Sequence, residues 1–298
     1  MDTLEDLRKK LSGAKDIKSV VRAMKAMAAS NIAQYEAAVG SLGDYYHTVS
    51  LGIVAYLMQE KINGAVGNEG PSKKGDNPVC AIVFGSDQGL VGRFNNLMTD
   101  FVVQSFHGLP GTKEIWVIGE RVQLLLADAG LVAAKSFPVP NSIDAVTPLI
   151  GQILVEIEEL TEKQLEMEFY IFHNQPKPDT GYEPVMQRLL PLDEQWRHEF
   201  ADIKWPAKCI PELIGKAGAA LLALISAYLF VSLFKACVES LASENASRLE
   251  AMQRADKNIG NLLDSLGHKF HRLRQSSIDE ELFDVVSGFE ALNSKPPK

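Results

Sequence analysis

Apolar residues recur three and four positions apart over an unusually long stretch at the end of the chain, with no proline between Pro211 and Pro296. Residues 212–293 therefore read as one helix. In its second half Leu249, Met252, Ala255, Ile259, Leu262, Leu266, Phe270 and Leu273 repeat like the a and d positions of a coiled-coil seam. About 80 helical residues at ~1.5 Å each would extend about 120 Å, more than an ordinary globular core needs. Such a helix must pair with another long helix or enter a partner.

The start of the chain supplies a mate. Leu4, Leu7, Leu11, Ala14, Ile17, Val20 with Val21, Met24, and Met27 with Ala28 predict a helix over residues 1–60, weakened at Gly40, Gly43 and Gly52. Arg8, Lys9, Lys10, Lys15, Lys18, Arg22 and Lys25 occupy its other faces, either as a solvated surface or as a contact for an acidic partner. After an exposed Gly- and Lys-rich loop (64–78) the pattern changes. Strands are predicted at Val79–Phe84, Lys113–Ile118, Val132–Phe137, Met167–His173 and Val185–Leu190. Helices are predicted at Phe94–Phe106, Arg121–Ala129 and Ser142–Leu160. This alternation describes a small α/β domain over residues 78–192, inserted between two long terminal helices.

Composition narrows the function. A net charge of −8 argues against a nucleic-acid binder working through bulk charge. Cys80, Cys209 and Cys237 stand far apart, as reduced thiols do, and MDTLEDLRKK has no basic-then-apolar leader. The run Ala217–Phe234 has no charged residue and reaches the lower length limit for a membrane span. Equally, a helix buried on all sides would be apolar all round.

Candidate chemistry is sparse. Gly85–Gly92, GSDQGLVG, follows the first predicted strand, where backbone N–H groups can bind phosphate. It lacks the GxGxxG spacing, and no GxxxxGK[ST] occurs in the chain. The plainer reading has Gly89 and Gly92 permitting a tight turn that Asp87 caps. The histidines form no HExxH, and His268 and His271 read as a surface pair. With no catalytic constellation, no cofactor or metal is expected.

Three stretches, read together, resemble the gamma subunits of rotary F-type ATP synthases. The first is Val20–Ala29, VVRAMKAMAA. The second is Ser86–Asn95, SDQGLVGRFN. The third is the closing pattern at Ser243, Glu244, Arg248, Ala251, Met252, Arg274, Gln275, Ile278, Glu281, Gly288, Ala291 and Leu292. The departures are Asp279 for a threonine, Val91 for a cysteine, Ser30–Glu36 where basic residues are usual, and the more apolar early part of the last helix.

The resemblance implies an antiparallel coiled coil of the terminal helices with a small Rossmann-like α/β domain between them. It implies a non-catalytic rotor that couples ion translocation to ATP synthesis. Its partners would be the alpha and beta subunits of a hexamer, the epsilon subunit and the c-subunit ring. It would lie peripherally at the cytoplasmic face of a bacterial or archaeal membrane. Met24, Lys25, Arg248, Arg274, Gln275 and Glu281 are the rotor–stator contacts it implies. The competing class is a nucleotide-binding α/β enzyme with helical oligomerisation arms.

Overall fold

The computed structural model describes residues 3–62, 77–109, 111–163, 167–177, 181–192, 200, 203, 205–209 and 217–293. Helix α1 is Leu4–Ile62, strand β1 Val79–Phe84, α2 Phe94–Gly108, β2 Lys113–Ile118 and α3 Glu120–Asp128. Then follow β3 Lys135–Phe137, a 3-10 turn Ile143–Ala145, α4 Val146–Lys163, β4 Glu168–Pro176, β5 Tyr182–Leu190 and α5 Ala217–Asn293. The chain divides into two compact units, Ala28–Arg248 and Met1–Met27 with Leu249–Lys298.

In the larger unit the strands form one sheet in the order β3-β2-β1-β4-β5. The β1–β2, β1–β4 and β2–β3 pairs are parallel, and β5 runs antiparallel to β4. Strand residues point alternately to opposite faces, so a sheet covered on both sides has no polar phase. That is why VCAIVF is apolar throughout. Val79, Ala81, Val83, Ile115, Val117, Tyr170 and Phe172 pack on Met98, Val102 and Phe106 of α2 and Val122 and Leu126 of α3. Cys80, Ile82, Phe84, Trp116, Ile118, Phe169 and Ile171 face the opposite layer. There Ile150, Ile153 and Ile157 of α4 share one core with Tyr35, Val49 and Ile53 of α1 and Tyr228–Ala242 of α5.

The apolar run of α5 belongs largely to that second core. By length and composition α5 could cross a membrane, with a mean hydropathy of 2.1 in its most apolar window, 44% of which is buried. Tyr228, Leu229, Val231 and Leu233 are buried within the protein, whereas Leu222 is exposed. The Tyr228 ring sits 6.2 Å from Tyr46 and 5.7 Å from Phe200. Gly52, which weakens the α1 pattern, makes room for Leu224: a Cβ there would lie 2.6 Å from Leu224 Cδ2.

In the smaller unit Arg22 Nε lies 3.6 Å from Asp256 Oδ1, and a Cβ at Gly260 would lie 3.6 Å from Lys18 Nζ. Four residues forward on α1 correspond to four residues back on α5, so the two segments run antiparallel. Leu7, Ala14 and Val21 are buried on α1 and Met252 on α5.

Three stretches depart from the sequence reading. The expected α1 seam through Ile17, Val20 and Met27 leaves those three residues exposed. The buried positions instead keep a seven-residue spacing that puts Lys18 and Lys25 on the half-buried edge. A three-or-four pattern admits both choices, and a packed neighbour selects the one that repeats every seven residues. On α5, Leu262 is half exposed and the adjacent Leu263 turns inward. The third strand is shorter than Val132–Phe137, because only Lys135–Phe137 pairs with β2 and Val132 is exposed. Of the expected last helix, residues 212–216 lie outside the described residues, as does most of the loop 64–78.

Candidate functional site

In open parallel sheets, ligands sit beyond the carboxyl ends of the strands where the strand order reverses. In this sheet the reversal falls between β1, whose next neighbour in sequence is β2 on one side, and β4 on the other. The Gly85–Asn95 turn leaves β1 at that point, and β4 reaches it at His173 and Asn174.

The turn is tied to itself. Asn95 Oδ1 accepts from the Ser86 N–H at 3.0 Å, Asn95 Nδ2 donates to Ser86 Oγ at 2.8 Å, and Ser86 Oγ donates to the Gln88 carbonyl at 2.9 Å. Ser86 and Asn95 are buried. The backbone joins the neighbouring strand, with the Gly85 N–H on the Ile118 carbonyl and the Arg121 N–H on the Ser86 carbonyl. Asp87 accepts from the Glu120 N–H at 2.9 Å and from the Val139 N–H at 3.0 Å. Its carboxylate thus caps α3 rather than its own turn, and favours the positive end of that helix. A phosphate would have to displace Asn95 from the Ser86 N–H and approach the Asp87 charge. The Ser86 N–H at the base of the turn is thus spent on the fold.

Glycine does different work than its spacing suggests. Gly92 takes a left-handed φ of 58°, but Leu90 takes 63°, while Gly89 has open space around it. Close approach belongs to two other glycines. A Cβ at Gly85 would overlap Val122, and at Gly119, with φ 117°, it would lie 2.8 Å from the Ser86 backbone nitrogen. These let β1, β2 and α3 meet at one point.

The crevice itself is filled by α5. Ser247 Oγ donates to the Val91 carbonyl at 2.6 Å and lies 3.2 Å from the Tyr182 hydroxyl. Ser243 Oγ donates to the Asn174 carbonyl at 3.0 Å. His173 Nε2 lies 2.9 Å from Glu239 Oε2, with both side chains buried. Tyr182 packs edge-on against Phe94, with ring centroids 5.4 Å apart. The chain's own helix occupies the place where a soluble ligand would bind.

Just beyond, Arg248 pairs with Glu244 at 2.6 Å, both largely buried. Burial pushes the Glu244 carboxyl up; Arg248 opposes that and the Asp87 charge adds to it. Tyr35 is likewise raised, first by burial and then by Glu244 and Cys237. Burial also raises the Cys80 and Cys237 thiols, which keeps both in the unreactive protonated form. Cys209 is exposed.

Of the residues named from sequence, Asp87, Gly92, Glu244 and Arg248 come together around this crevice. Met24 and Lys25 are half-buried on α1, and Arg274, Gln275 and Glu281 are exposed on α5. His268 and His271 are exposed, and among the described residues no three His, Cys, Asp or Glu side chains cluster as a metal site. His173, Tyr182, Glu239 and Ser247 were not foreseen. Their partners lie 65 to 156 residues away in the chain, and no local pattern announces them.

A family model described as ATP synthase matches residues 3–292. The ATP synthase gamma chain of Pasteurella multocida (strain Pm70) is 25% identical over 97% of this chain and 99% of its own length. That of Pelagibacter ubique (strain HTCC1062) is 27% identical over 98% and 100%. Among solved structures, a chain of the Euglena gracilis mitochondrial ATP synthase OSCP/F1/c-ring assembly superposes with a TM-score of 0.61. It has 14% identity over 99% of this chain and 97% of that one. A chain of the central stalk/c-ring of the Tetrahymena thermophila enzyme gives 0.55 at 19% identity, over 79% and 99%. At those identities the structural likeness speaks for the fold. The family model spans nearly the whole sequence, and the chain belongs to the ATP synthase family.

Proposed function

We propose that this chain is the central-stalk rotor subunit of an F-type ATP synthase, coupling ion translocation in the membrane sector to ATP synthesis or hydrolysis in an alpha/beta hexamer. The observation that carries the reading is the end of α5, where Ile278, Leu282, Phe283, Val285, Val286 and Phe289 are all exposed, Phe283 at 72%. A solvated helix end does not keep six large apolar residues without a surface to meet them. The bore of a hexamer is such a surface.

The terminal helices act as an antiparallel coiled coil, which the seven-residue burial on α1 and the opposed Arg22–Asp256 and Lys18–Gly260 neighbours support. The functional division is 1–60 and 212–293 for the shaft and 78–192 for the Rossmann-like domain against epsilon and the c-subunit ring. A stiff asymmetric shaft biases each catalytic subunit differently at each angle, and this bias drives the subunits between open and closed states. The rotor makes and breaks no bond itself. Its outer surface has to slide, so polar grips are few: Arg274, Gln275 and Glu281 on α5, with Met24 and Lys25 on α1. Arg248, held by Glu244, braces the shaft from within.

The chain lies peripherally on a membrane-bound complex. The bacterial source of the curated relatives supports the cytoplasmic face of a cell membrane. The test is co-purification with alpha and beta subunits, followed by ATP-driven ion pumping with and without this chain. Pumping that is the same in its absence would refute the proposal.

A further inference from the structure

Glu239, Ser243 and Ser247 stand at i, i+4 and i+8 on α5 and so form one stripe along the helix. All three are buried, at 6%, 1% and 5% exposure, as are Ser240, Glu244 and Asn245 of the same stretch. Glu239 and Ser243 reach adjacent residues near the end of β4, and Ser247 reaches the turn after β1. Glu239 holds the His173 ring through Nε2, and among the described residues His173 Nδ1 has no hydrogen-bond partner. Ser243 holds the Asn174 carbonyl, and Ser247 holds the Val91 carbonyl beside the Tyr182 hydroxyl.

Apolar packing is non-directional and tolerates small turns and slides of a helix against a sheet. Buried hydrogen bonds do not, because a polar group stripped of its partner keeps the full cost of leaving water. Turning α5 by one residue, about 100°, would strip all three at once. The stripe is therefore a detent against rotation of the helix in its seat.

We infer that this stripe is the key through which α5 passes torque to the α/β unit, with His173, Glu239, Ser243 and Ser247 as positioning residues for coupling. The inference rests on the rotor reading above. A shaft that turned in its seat would let ATP hydrolysis proceed in the hexamer while the unit facing the ion-driven ring lagged behind.

The experiment uses the whole reconstituted complex and reads ions pumped per ATP hydrolysed. Glu239→Leu, and separately Ser243→Ala with Ser247→Ala, keep ATPase activity and lower that ratio severalfold. Glu239→Gln still accepts the His173 Nε2–H and keeps the wild-type ratio. Ile153→Val thins the same core away from the stripe and also leaves the ratio unchanged. Ser247→Ala alone is the decisive variant should the stronger ones not assemble. Unaltered ratios in the stripe variants, or an equal fall in Ile153→Val, overturn the inference while leaving the rotor reading intact. Failure of the wild-type chain to restore any pumping to a complex lacking its central stalk would sink both.

Discussion

Asn95 and Ser86 grip each other from both ends: the amide oxygen of Asn95 takes the Ser86 N–H at 3.0 Å, and its nitrogen gives to Ser86 Oγ at 2.8 Å. Both residues are buried, and Ser86 is also the residue against which Gly119 packs. Asn95→Ala would leave the buried Ser86 N–H without a partner and take one donor from Ser86 Oγ, which keeps its bond to the Gln88 carbonyl, costing about 1–3 kcal/mol of stability. Asn95→Asp restores the acceptor but buries a charge and should do no better. Chemical denaturation of the isolated chain measures this; a loss below about 1 kcal/mol would show that the turn is held elsewhere.

The glycines divide by the space around them. Gly119→Ala places a methyl 2.8 Å from backbone at a φ of 117°, and Gly85→Ala drives one into Val122. Neither neighbour can withdraw without separating β1, β2 and α3. Both variants should be poorly folded, whereas Gly89→Ala, which meets open space, should match wild type in circular dichroism and melting temperature. Comparable behaviour of all three would contradict the packing account.

These positions show where sequence reading stops. Long elements with strong periodicity were legible: both terminal helices, the α2 and α3 helices, and the buried strands β1 and β2. Strand β1 could be recognised because an unbroken apolar hexapeptide is what a doubly covered parallel strand needs. The seam of α1 was legible at Leu7, Ala14, Val21 and Ala28, but Ile17, Val20 and Met27 satisfy the same local helical pattern and are exposed; only the packed neighbour distinguishes them. The turn motif was visible as residues, but its meaning depended on contacts with Gly119, Glu120 and Val139 that spacing does not reveal. The polar stripe of α5 was invisible for the same reason: a glutamate and two serines on one helix are commonplace until their partners are known.

Glu244 makes stability depend on pH in a definite sense. Burial raises its carboxyl above the ordinary value of about 4.3, so across the interval above that value the folded chain holds the proton more firmly than the unfolded one. The Glu244 contribution is complete below the unfolded value and is lost as pH rises through the folded one. Glu244→Gln cannot ionise, so its stability relative to wild type should improve as pH rises through this window. Denaturant unfolding at a series of pH values reads the difference; a flat difference would show that Arg248 neutralises the site fully.

Membrane attachment is separable from membrane insertion. Tyr228, Leu229, Val231 and Leu233 are buried in the protein core, so that part of the apolar run has no face left for lipid. Alkaline carbonate should release the chain from membranes together with its soluble partners. Retention in the pellet with the integral subunits would mean that the segment around the exposed Leu222 inserts after all.

The exposed end of α5 gives the most direct test of partner engagement. Phe283, Val285 and Phe289 are 72%, 70% and 66% exposed, so changing them removes no internal packing. Phe283→Asp with Val286→Asp should leave the melting temperature of the isolated chain nearly unchanged, as surface substitutions generally do. In the complex the same carboxylates would have to lose water against an apolar surface, at a cost of several kcal/mol if they stay charged. The yield of assembled alpha/beta complex should therefore fall steeply, and rotation in whatever assembles should become uneven. Gln275→Leu, about two to three turns earlier, adds no charge and removes a hydrogen-bonding amide; it should spare assembly more and reduce pumping per ATP. The two variants thus separate seating from grip. Normal assembly of Phe283→Asp with Val286→Asp would mean that the apolar end of α5 points into solvent in the complex, and that the shaft is held only by its polar contacts.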